Sequence, residues 1–88
     1  MHTNLITGAL PDGHETPISN SAADIVRMGF NPSSLPKVDA IKGLAAALIS
    51  ECEALRDEGG KGAREASIAI TKLQEASMFG VAAATADP

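Results

Sequence analysis

The sequence predicts an all-α fold: an antiparallel helical hairpin preceded by a short N-terminal helix, assembling into a helical homo-oligomer. Three observations carry that reading. Apolar residues recur at helical spacing along two long stretches, a glycine cluster separates the stretches, and the chain is too short to enclose a core unaided. With 88 residues, a chain buries only about 60% of the surface its unfolded form exposes. Proteins this small add disulfides, a metal or a partner subunit. Cys52 is the single cysteine and has no partner within the chain. His2 and His14 stand far apart in a polar segment, without the regularly spaced ligands of a zinc site. Neither a metal nor another cofactor is expected, which leaves self-association.

Residues 1–20 carry Gly8, Pro11, Gly13 and Pro17 among Ser, Thr and Asn with no sustained period, and the expectation is a flexible leader. A short helix is expected over 21–29. Ser21 is its candidate N-cap, and Asp24 takes the acidic place of a capping box. Ile25 and Met28 share one face, and Gly29 is the left-handed stop. Residues 30–35 read as a linker, with Ser34 a second candidate N-cap and Pro36 suited to the first turn of the next helix.

The hairpin is expected over 36–84. Its first arm, 36–56, has a seam of Val38, Ile41, Ala45, Leu48, Cys52 and Leu55, spaced alternately by three and four, with Leu44 and Ile49 widening the stripe. Lys37, Asp39, Lys42, Glu51, Glu53 and Arg56 are expected on the opposite, solvated face. Gly59, Gly60 and Gly62 mark the turn. The second arm, 63–84, has a seam of Ala66, Ile70, Leu73, Ser77 and Gly80, and a tail follows at 85–88. Apolar or small residues cover more of this arm than one partner helix can bury, so close packing between copies is expected along its small-residue strip. A three-helix monomer, closed by the short first helix, is the alternative.

Composition excludes several functions. A formal net charge of −4 is wrong for broad binding to DNA, RNA or an anionic membrane, which calls for a basic patch. No apolar run approaches the ~20 residues that span a bilayer. Nothing resembles a secretory signal, so a reducing cytoplasm is the expected setting. There is no histidine near Cys52, no nucleophile elbow and no nucleotide-binding P-loop, so the chain is not expected to be an enzyme. The Gly59–Gly62 segment is read as a turn rather than a phosphate cradle. Arg64, Ser67, Thr71, Glu75 and Met78 form a polar-edged face at helical steps, for which a binding role and simple solvation are both open.

The segment Arg64-Glu-Ala-Ser-Ile-Ala-Ile-Thr-Lys-Leu-Gln-Glu-Ala-Ser-Met-Phe79 resembles the second helix of the phage anti-CBASS cyclic-nucleotide sponges, whose hairpin domain is shared with sponges that inhibit Thoeris defence. Pro36-Lys-Val-Asp-Ala-Ile-Lys-Gly-Leu-Ala45 resembles the first helix of the same hairpin. Together the resemblance covers residues 30–84. It implies a hexamer that sequesters cyclic dinucleotides, such as cyclic GMP–AMP, without cleaving them. It also implies cyclic trinucleotides bound at separate sites, and a role against CBASS-type anti-phage defence in the host cell cytoplasm. In the dinucleotide role, Phe30 fits the aromatic residue that stacks on a base, and Lys42 fits the basic residue that meets the phosphates. Arg64 and Thr71 fit the trinucleotide site. Phe30 stands where a tyrosine is usual and Phe79 where a tryptophan is common. An alternative remains open: a small helical protein–protein interaction module with no small-molecule ligand.

Overall fold

A computed structural model of the chain describes residues 4–6 and 15–86. Three helices dominate: α1 (Asn20–Val26), α2 (Pro36–Asp57) and α3 (Ala63–Thr85). The two long helices form the hairpin and pack along their length, and α1 lies on α2 and touches α3. The expected flexible leader falls partly on residues 1–3 and 7–14, outside the described residues. Where it is described it departs from the expectation. Asn4–Ile6 (β1) and Glu15–Pro17 (β2) pair as an antiparallel ribbon with Leu5 opposite Thr16, and both strands lie against α2. Strands of three residues are too short for an alternation that sequence reading could detect.

Helix α1 begins and ends elsewhere than its residues suggest. Ser19, not Ser21, is the N-cap: its backbone is extended and its hydroxyl accepts from the Ala22 N–H. Ser21 instead donates to a Glu53 oxygen. At the far end the helix stops at Arg27, two residues before Gly29. Arg27 takes the left-handed conformation (φ 56°), while the Met28 N–H reaches Ala23 O at 2.9 Å and closes the helix as a Schellman turn. Gly29 follows with a positive φ of its own. Between α1 and α2 the Asn31 side chain organises the chain: its amide donates to Leu35 O at 2.8 Å, and its oxygen accepts from Ser33 Oγ. Leu35, not Ser34, therefore caps α2, without a side-chain bond, and Pro36 occupies the first turn.

The seam expected of α3 is close to the one observed. Ala66, Ile70 and Ser77 are buried, and Leu73 and Gly80 half-buried. The α2 seam is rotated. Val38 is buried, but Leu44, Leu48 and Leu55 are 50–55% exposed. The buried stripe also runs through Lys42, Ala46, Ile49 and Glu53, two of which were expected on the solvated face. The cause is α1, which covers this side of α2. Its Ala22 and Val26 join Ala46, Ile49 and Ile70 in the core, with Cys52 and Leu73 packed at the edge. Full burial of Ile49 is worth ~1.5–3 kcal/mol. The expected packing of small residues between copies meets an intrachain alternative at Gly80. A methyl group there would lie 3.1 Å from Ile41 Cγ2, so this glycine lets the two arms of one hairpin approach.

Candidate functional site

Two charged side chains are buried on the face of α2 that carries α1. Lys42 is 6% exposed and Glu53 7%. They stand eleven residues apart, about 16 Å along the helix, and reach opposite ends of α1. Glu53 accepts hydroxyl hydrogen bonds from Ser19, at 2.5 Å, and Ser21. The Lys42 ammonium donates to the carbonyls of Arg27, at 3.0 Å, and Phe30, at 2.5 Å. The anion therefore meets the positive end of the α1 dipole and the cation the negative end, the favourable arrangement at both. Helix α1 has seven residues, too few to persist alone in water; these two contacts and its apolar face hold it down.

The Lys42 end is open. Its ammonium lies 5.4 Å from the centroid of the Phe30 ring, within cation–π range, and that residue is 60% exposed. Two clefts share the pair in their walls. One, of about 410 Å³, is lined by Ile25, Val26, Arg27, Phe30, Lys42, Gln74, Ser77, Met78 and Val81. The other, of about 340 Å³, is lined by residues 30–33 with Val38, Lys42, Val81 and Thr85. Both fall within the ~300–1,000 Å³ of ordinary ligand pockets. Phe30 and Lys42 form part of the wall common to both. Lysine has three N–H donors, and two are engaged by carbonyls, so one has no hydrogen-bond acceptor among the described residues.

Of the four residues singled out in the sequence, the structure thus brings two together. Arg64 and Thr71 lie elsewhere. Arg64 is the second residue of α3, thirteen residues or about 20 Å before Ser77; its side chain is exposed and 3.8 Å from Glu65. Thr71 is exposed, and its hydroxyl faces Ser67 O of its own helix at a long 3.5 Å. Neither lines the two clefts.

Sequence reading passed over Arg27, Gln74 and Ser77 as site residues. Arg27 reaches the cleft because its left-handed turn ends α1 there. Ser77 carries a stronger signal. It is 4% exposed, and no described residue hydrogen-bonds its hydroxyl. The hydroxyls of Ser50 and Thr85 donate to carbonyls one turn back, each at 2.8 Å, which is the usual resolution for a helical hydroxyl. Ser77 does not. A buried hydroxyl left unpaired costs about 1–3 kcal/mol. Its place on an otherwise apolar seam was the available clue.

Among the described residues no group of His, Cys, Asp and Glu is arranged to hold a metal, and no helix is long and apolar enough to cross a membrane. No curated protein and no solved structure matches the chain. The family model described as the Acb2/Tad1 hairpin domain matches residues 23–85. That span takes in the second half of α1, the turn carrying Phe30, both arms of the hairpin and every residue that lines the two clefts. The chain belongs to the Acb2/Tad1 hairpin-domain family, a sponge-type binding family and not a known family of enzymes.

Proposed function

We propose that this protein sequesters cyclic dinucleotides, cyclic GMP–AMP among them, and holds them without cleavage. In this role it lowers the concentration of an immune signal in the cytoplasm of a phage-infected host and antagonises CBASS-type defence. The observation that carries the reading is the Phe30–Lys42 pair: an exposed ring beside a held ammonium, 5.4 Å from ring centroid to nitrogen, in the wall of two clefts. Stacking on an aromatic side chain contributes ~1–3 kcal/mol per base, and a charge-assisted hydrogen bond ~1.5–3 kcal/mol. The carbonyls of Arg27 and Phe30 already fix the ammonium, so binding spends little further side-chain entropy on it. Sequestration needs no catalytic group.

Self-association completes the proposal. Leu44, Leu48 and Leu55 on α2, with Ile68, Met78 and Phe79 on α3, stand exposed. A second copy of the hairpin is the occupant proposed for these faces, in a homo-oligomer, with a hexamer as the specific expectation. Ligands shared between copies then meet two Phe30–Lys42 pairs, which lets an acidic protein hold a dianion. Arg64 and Thr71, both exposed on α3, remain proposed contacts for cyclic trinucleotides at separate sites.

The same exposed faces favour a second reading, a helical module that binds a partner protein and no small molecule. Thermal melts separate the two, because a ligand that binds only the folded state raises the midpoint by mass action. On the sponge reading, a cyclic dinucleotide at a hundred times its Kd stabilises by about 2.7 kcal/mol and is recovered intact after heating. Midpoints indifferent to cyclic di- and trinucleotides reject sequestration in favour of the interaction module. Cleaved ligand points to an enzyme instead.

A further inference from the structure

We infer that Ser77 is a specificity-determining residue of the cleft, whose hydroxyl hydrogen-bonds the edge of a nucleobase seated there. The inference rests on the cyclic-dinucleotide reading and names a contact at the same site. Three observations lead to it. Ser77 is more than nine-tenths buried, its hydroxyl has no hydrogen-bond partner among the described residues, and it lines the larger cleft together with Phe30 and Lys42. Buried polar groups are paired in native proteins with few exceptions, and an exception calls for a missing partner. The surroundings indicate which part of a ligand supplies it. Ile25, Val26, Met78 and Val81 make most of the remaining wall apolar, which suits the flat face of a base. The charge that a phosphate seeks is on Lys42 and Arg27. A hydroxyl both donates and accepts, so it is paired by a base that places an amino or a carbonyl group opposite it and left unpaired by one that places a C–H there. A site that hydrogen-bonds its ligand discriminates more sharply than an apolar pocket, because a wrong ligand leaves a buried group unpaired.

The test is Ser77→Ala, which removes the oxygen and almost no volume. Calorimetry would measure both proteins against cyclic di-AMP, cyclic di-GMP and cyclic di-UMP, with ligand-free melts and light scattering alongside. The expected result is about a tenfold loss of affinity for at least one of these ligands and less than a twofold change for another. The ligand-free variant should melt at or above the wild type, since an unpaired hydroxyl has been deleted. Unchanged affinity for every ligand that the wild type binds overturns the inference alone. A uniform loss across the panel overturns it as well, by assigning the hydroxyl to ribose or phosphate. A lowered melting point, or a smaller particle in solution, shows that the protein itself uses the hydroxyl, and is equally fatal. A wild-type protein that binds none of the three removes this inference and counts against the dinucleotide reading on which it rests.

Discussion

At its first turn α1 meets Glu53; just past its last it meets Lys42. The two contacts look like mirror images, each a buried charge from the same face of α2 set against the complementary end of the short helix. Their surroundings differ. Glu53 is taken up by two serine hydroxyls and lines neither of the two clefts. Lys42 is taken up by two main-chain carbonyls, stands beside an exposed ring, and lines both clefts. Burial of a charge does not by itself mark a site. What distinguishes the Lys42 end is a spare donor together with room for something to reach it.

Substitutions can break that contrast or sharpen it. The largest effect on stability is expected from Glu53→Ala, which removes both hydroxyl acceptors at the start of α1. It should cost about 3 kcal/mol in denaturant unfolding at fixed protein concentration, and Glu53→Gln about 1 kcal/mol. Ligand affinity in Glu53→Gln should stay within about twofold of wild type; a large drop would make the two ends functionally alike and dissolve the comparison. Next comes Lys42→Met, which keeps the aliphatic stem and deletes the charge. About 2 kcal/mol of stability should be lost, since two carbonyls lose a charged donor, and dinucleotide affinity should fall at least tenfold in calorimetry. On the proposed reading Lys42 has a structural share as well as a binding one, and Lys42→Ala is expected to loosen α1 in addition to weakening binding. Affinity retained in Lys42→Met would reduce the lysine to a helix clamp like Glu53. The smallest effect on folding is expected from Phe30→Ala. An exposed ring contributes about 0.5 kcal/mol or less, yet its loss should remove ~1–3 kcal/mol of binding. Stability loss without affinity loss would reverse its assignment.

Much of the hairpin was legible because its signals are long and redundant. The α3 seam repeats over five positions, and three glycines in four residues leave little but a turn, with Gly59 at a φ of 72°. The α2 face was misread for a physical reason. Pattern reading counts apolar residues and sends Lys and Glu to water, whereas here α1, its caps and the turn after it supply hydroxyls and carbonyls that make Lys42 and Glu53 cheaper to bury. Leu44, Leu48 and Leu55 were displaced outward in consequence. The boundaries of α1 slipped because Ser19 and Ser21 are equally good caps by residue type. A left-handed Arg27 ahead of Gly29 has no sequence signature at all. Phe30 and Lys42 came from family likeness, and their proximity needed the fold. Ser77 was visible as a polar residue in an apolar seam, but only the shape of the cleft gave that a meaning.

The acceptors that steady Lys42 are peptide oxygens, which every residue type supplies. Exchanging the side chain at position 30, or at 27, leaves those oxygens in place as long as the turn keeps its path. On the proposed reading, the aromatic group at position 30 can therefore be traded for another, altering how strongly a base stacks, without unseating the cation next to it. Stacking and charge recognition would then be separable, and selection could tune the first while the second stays fixed.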